Sequence, residues 1–173
     1  MQPGGFNADA TYNYFRESQP NRFWAKVVWN PSNPQKESFT LWLAASHKLL
    51  TLDRAPFLGI RSSCCFCNPS EKSSAHLFFK CRVILKAWVE IRDWANFPGK
   101  NVSLQGVLNA LVHYRAVSGN QGKFRCLALA TTVFCIWSYR NSIRFDHHLF
   151  VLTDLVDRIK LRTMRFAHLT HLY

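Results

Sequence analysis

The chain has 173 residues with 22 Lys+Arg against 10 Asp+Glu, a net charge of +12, and it is 48% hydrophobic and 14% aromatic. That length suits one domain or one domain with an appendage, and the apolar content is enough to bury a core, which argues against a disordered chain. The charge excess points to an acidic partner: nucleic acid, an anionic membrane or an acidic protein. The longest apolar run, Cys126 to Trp137, is too short to span a bilayer and reads as a buried helix.

The first twenty residues are weakly patterned and are expected to form a flexible arm (residues 1–20), with TYNYFR at 11–16 a short helix end or a docking segment. They lack the basic start and apolar core of a secretory signal, and with Asp9 and Glu17 they make a poor mitochondrial presequence. The six cysteines are therefore expected in a reducing compartment, nucleus or cytoplasm, where metal binding or burial is favoured over disulfides.

Asn21 to Asn30 carries Trp24, Val27, Val28 and Trp29 at the spacing of a short helix, ended by Pro31 and Pro34. Ser38 is an N-cap candidate for FTLWLAASHKLL, and His47 falls on the polar side of that helix. DRAPFLGI then reads as a single turn closed by Gly59.

The next stretch, Ser62 to Cys81, holds four of the six cysteines. Cys64, Cys67, His76 and Cys81 follow a C-x2-C-x8-H-x4-C order, which makes a candidate closed zinc site of three thiolates and one imidazole. A C-x2-C turn brings two sulfurs to one ion while backbone amides face them. His76 and Cys81 would come from the start of a helix. Cys65 could replace Cys64, giving the spacing C-x-C. With four protein ligands no position stays open, so the metal would be structural. A small hairpin around Cys64 to Cys67 is the one place where strand is expected.

From about Ala75 the pattern is helical, with Leu77, Phe78, Ile84, Ala87, Trp88, Ile91, Trp94 and Ala95 in one stripe, stopped at Phe97-Pro98-Gly99. Ser103 caps a helix with Leu104, Val107, Leu108, Leu111 and Val112 inward, which Gly106 weakens. VSGNQG at 117–122 reads as a loop, Phe124 to Phe145 as a long central helix, and Asp146-His147-His148 as a turn. The last helix, 149–168, sets Leu152, Leu155, Val156, Ile159, Thr163 and Phe166 on one side and Arg158, Arg162 and Arg165 on another. Cys126 and Cys135 are expected to be core thiols. The fold is thus expected to be mostly α with little β: a zinc-binding helical domain over 21–145, organised around a CCHC knuckle, with a basic amphipathic C-terminal helix over 146–173 packed on it.

These pieces resemble a known family. TYNYFR at 11–16, VVWN at 27–30, PQKESFTLWLA at 34–44, HKLLTLDR at 47–54, CCFC at 64–67, Glu71, HLFFKC at 76–81, Trp88 and IWSYRNSIRF at 136–145 resemble the zinc-binding domain that follows the reverse transcriptase of plant non-LTR retrotransposons. The resemblance implies that Cys64, Cys67, His76 and Cys81 ligate Zn²⁺ and that the region helps a polyprotein hold RNA or DNA. Ala75 departs from the family, which usually has an acidic residue before the histidine. The polymerase and ribonuclease H that accompany the family unit are not in this chain, which suggests a fragment with its own role.

Catalysis is not expected. Two-metal nucleic-acid chemistry needs clustered carboxylates, and between Trp94 and Phe145 there is no Asp or Glu. No phosphate-binding glycine loop or nucleophile elbow appears, and no small-molecule substrate is implied. Two functions remain. One is binding of RNA or single-stranded DNA through Arg22, Trp24, Lys80, Arg82, Lys86, Arg158, Arg162 and Arg165, with phosphates on the cations and bases on the aromatics. The other is a protein-interaction module that binds and alters a host protein through exposed Trp and Phe and the last helix. Peripheral membrane contact by the basic C-terminus ranks below both.

Overall fold

A computed structural model describes residues 22–51, 63–67, 75–146 and 149–172. The N-terminal arm, DRAPFLGI, Glu71 and the two histidines at 147–148 lie outside the described residues. The elements are α1 (Ala25–Val28), α2 (Gln35–Ala45), a π-helical turn (His76–Lys80), α3 (Arg82–Trp94), α4 (Leu104–His113), α5 (Gly119–Phe145) and α6 (Leu152–Leu169). Among the described residues there is no strand, and Cys64 to Cys67 form a tight turn where a hairpin was expected.

The centre is α5. A helix that is apolar nearly all round must be covered on several sides, and α5 is packed by α2, α3 and α6, with α1 and the π-turn touching it as well. Cys126 through Ala130 are fully enclosed, and Cys126 and Cys135 sit in this core as free thiols. Buried Thr132 and Thr163 reconcile their hydroxyls with the core by bonding back to the carbonyls of Ala128 (2.6 Å) and Ile159 (2.8 Å). The C-terminal helix α6 buries Leu155, Val156, Ile159 and Thr163 of its expected inward face, together with Ala167, against α5 and α3, while Leu152 and Phe166 are half-buried.

Two helix starts differ from expectation. Ser38 does not cap α2. Pro34, extended at φ −63° and ψ 151°, takes that position, and Ser38 is buried inside the helix. The Pro34 ring fixes the φ that launches the helix four residues earlier. Glu37 thereby enters the first turn, where the helix dipole favours a negative charge. The VSGNQG loop is likewise shorter than read, because α5 begins at Gly119. Gly122 is required there: a Cβ would stand 2.4 Å from the carbonyl carbon of Val117. Ser103 does cap α4, accepting a hydrogen bond from the Gly106 amide at 3.1 Å. Gly106 makes room for this cap, since a Cβ would meet Ser103 Oγ and Asn101 Oδ1 at 2.9 Å.

Four helices end in one motif without glycine. His47, Asn96, Arg115 and His171 each have φ between 48° and 54°. At α2 the His47 amide bonds Ala44 O and the Lys48 amide bonds Leu43 O. The same pair of bonds recurs at Asn96/Phe97, Arg115/Ala116 and His171/Leu172. This Schellman geometry satisfies the last carbonyls. It ends α2 at Ala45, short of the Leu50 that its apolar spacing suggested.

Candidate metal centre

The knuckle is built from two backbone devices. In the first, the turn at Cys64 to Cys67 directs the amides of Phe66 and Cys67 at the Cys64 sulfur. In the second, the chain from His76 to Lys80 is wound as a π-helix, closed by the Cys81 amide on His76 O at 2.8 Å. That i→i+5 bond brings residues five apart one above the other, which an α-helix would not do. His76 and Cys81 are five apart. Cys81 then turns extended and starts α3, so that the first amides of that helix, at Ile84 and Val83, face its sulfur. The single helix expected from Ala75 onward is therefore two, broken at the ligand.

The side chains converge. Cys64 Sγ lies 4.0 Å from Cys81 Sγ, and Cys67 Sγ lies 3.3 Å from His76 Nε2. All four ligand atoms fall within 4.8 Å of one another. Ligands at zinc's distances on a regular tetrahedron stand ~3.5–3.8 Å apart, so the spacing suits one ion at their centre. Cys64, His76 and Cys81 are buried, and Cys67 is half-buried.

The electrostatics prepare a thiolate. The hydrogen bond shared with Cys81 pulls the Cys64 thiol down to about 4, assisted by the Phe66 and Cys67 amides, and the same bond holds Cys81 well up. Burial raises Cys67. Cys65 stands outside the cluster, and burial pushes it up to about 11, which makes it a poor ligand in competition with Cys64. With three thiolates the zinc centre carries one negative charge in excess. Arg82 faces Cys67, and Arg144 and Arg140 act on the neighbouring Cys65.

The turn is also tied to the core. Arg144 Nη2 donates to Ser63 O at 2.8 Å, and the Phe66 ring meets Phe150 edge-on at 4.9 Å. Phe150 in turn contacts Tyr139 of α5 at 5.5 Å. Sequence spacing offered no sign of these ties, because Ser63 and Arg144 are 81 residues apart.

Three thiolates and an imidazole closing on one point, held in a mostly helical scaffold, define a structural zinc module. The comparison with family models agrees: residues 6–88 match the family described as zinc-binding in reverse transcriptase. No curated protein and no solved structure matched the chain. The helices α4 to α6 lie beyond the matched segment.

The residues proposed for nucleic acid fall into three groups. Arg22, Lys80, Arg82 and Lys86 are exposed, with Lys80 and Arg82 flanking the ligand Cys81, and Arg158 and Arg165 are exposed along α6. Trp24 is a correction: only 5% exposed, its ring belongs to the core and offers no stacking platform. Arg162 is half-buried and held from behind. Its Nε and Nη2 both bond Glu37 Oε1, the first at 2.7 Å, which draws its guanidinium inward. Glu37 is fully buried. Its role was not legible in the sequence, because Glu37 precedes the Ser38 cap expected there and its partner lies 125 residues away. No helix among the described residues is long and apolar enough to cross a membrane.

Proposed function

We propose that this zinc module is non-catalytic and holds single-stranded RNA or DNA through the cations that its metal centre fixes in place. The observation that carries this reading is the position of Lys80, Arg82 and Lys86. All three are exposed on the segment that supplies His76 and Cys81. A closed Cys3His site has no coordination position for substrate, so the metal acts by setting the shape of this segment. The net charge of +12 supplies the sequence-independent attraction that dominates such binding. Affinity for a labelled oligonucleotide is expected to fall steeply and log-linearly with salt. Binding that ignores salt, or no binding to either RNA or single-stranded DNA at low salt, contradicts the proposal.

A second reading is contact with a host protein. It is favoured by the large apolar side chains left in solvent, foremost Leu149 at 88% and Leu161 at 74% exposure. Affinity purification with nuclease treatment separates the two: partners retained after nuclease and high salt support direct protein contact, and partners lost support nucleic acid.

A further inference from the structure

A cleft of about 650 Å³ opens between α5 and α6, lined by Phe134, Ser138, Arg158, Arg162, Arg165 and Phe166, with Leu161 at its edge. It lies outside the family-matched segment and far along the chain from the zinc ligands. Its size falls within the range of small-ligand sites. Its lining combines cations with aromatic rings. Arg158, Arg162 and Arg165 repeat at helical spacing, so Arg158 and Arg165 stand about 10 Å apart along α6 at 1.5 Å per residue.

The three arginines are not equivalent. Arg162 lies over the Phe134 ring (4.7 Å) and the Phe166 ring (5.1 Å) and is bonded to Glu37. Its charge is therefore matched from behind, and it is fixed as part of the wall. Arg158 lies over Tyr139 at 5.3 Å. Among the described residues neither Arg158 nor Arg165 has a carboxylate within ion-pair distance. The cleft thus presents a rigid aromatic–guanidinium wall with two uncompensated cations, the pairing that single-stranded nucleic acids require: stacking for a base and positive charge for the backbone.

We infer that this cleft is the seat of an unpaired nucleotide, its base against the Phe134–Arg162–Phe166 wall and its backbone phosphates on Arg158 and Arg165. The inference rests on the proposed nucleic-acid function and names where on the molecule the strand is gripped. Arg162 is a positioning residue, held by Glu37, and Arg158 and Arg165 are the phosphate contacts.

The test is fluorescence anisotropy of full-length zinc-loaded protein with labelled oligouridylate and oligothymidylate across a salt series. It compares wild type, Arg158→Gln/Arg165→Gln and Lys80→Gln/Arg82→Gln. Both variants change exposed side chains, and each is checked for zinc content and helicity. The cleft variant is expected to bind at least tenfold more weakly, with a log–log salt slope smaller by about 1.4, the value for two phosphate contacts on a single strand. Photocrosslinking of a 4-thiouridine oligonucleotide should label the peptides of Phe134 or Phe166. Cleft-variant affinity within twofold of wild type, while Lys80→Gln/Arg82→Gln loses binding, overturns the cleft and leaves the nucleic-acid function standing. Wild-type protein that binds neither oligonucleotide overturns both. So does retention on anionic vesicles alone, or on an acidic peptide alone.

Discussion

At the scale of single residues, the six cysteines divide into three chemical kinds. Cys64, Cys67 and Cys81 close on the metal with His76. Cys65 is held up at about 11, and Cys126 and Cys135 are pushed up to about 12, in each case first by burial. A raised pKa means less thiolate at a given pH, and the thiolate is the reactive species. In zinc-loaded protein at mildly alkaline pH, no cysteine should alkylate quickly. After chelation Cys64, the thiol lowered to about 4, should react first, with Cys126 and Cys135 last. Peptide mass spectrometry reads the order, and rapid labelling of Cys64 with zinc bound would count against its role as ligand. The ligand spacing was legible because a knuckle is a local motif, written within 18 consecutive residues from Cys64 to Cys81. The choice between Cys64 and Cys65 was not, because it depends on which sulfur the turn amides and Cys81 face, and only the folded backbone decides that.

At the scale of elements, the apolar stripes of α3, α4 and α6 and the end of α5 at Phe145 could be read from the sequence, while the left-handed residues that end α2, α3, α4 and α6 could not. Glycine is the usual stop signal. Here His47, Asn96, Arg115 and His171 take the left-handed position instead. Non-glycine residues are strained there, by about 1 kcal/mol or more. Arg115 is exposed, and Arg115→Gly is expected to stabilise the fold by about 0.5–1 kcal/mol in denaturant unfolding, strain relief being partly offset by chain entropy. A loss of stability would show that the Arg115 side chain holds something its φ angle does not reveal. The Glu37–Arg162 pair joins α2 to α6 across 125 residues and was invisible for that reason. Removing its two halves should have unequal effects. Arg162→Ala leaves a fully buried carboxylate without its cation and should cost about 3–5 kcal/mol. Glu37→Gln should cost less, because the Arg162 side chain is 34% exposed and can turn to water. Equal costs would mean that the carboxylate has another route to solvation.

At the scale of the whole molecule, the zinc knuckle and the C-terminal helices form one core. Phe66, Phe78, Cys81 and Trp88 share a continuous apolar cluster with Leu127, Ile136, Leu155 and Leu172. The family-matched segment ends at residue 88, inside α3, yet α2 and α3 pack on α5 and α6. A fragment ending at residue 88 should therefore bind zinc but lack a cooperative thermal transition, whereas the full chain should melt as one unit. A sharp melt of the fragment would show that the segment needs nothing beyond itself. Composition foretold a basic protein with a packed core, and periodicity foretold the helices and most of their buried faces. The cleft between α5 and α6 could not be foretold, because its wall is assembled from residues of two helices and positioned by a third.

The central claim is that this scaffold closes on one structural zinc. Elemental analysis of the purified full chain, beside Cys81→Ser and Cys65→Ser, tests it most directly. About one zinc per chain is expected for wild type and for Cys65→Ser, with metal and thermal stability lost together in Cys81→Ser. Wild-type protein with zinc near zero, or Cys81→Ser that keeps its metal, would contradict the account.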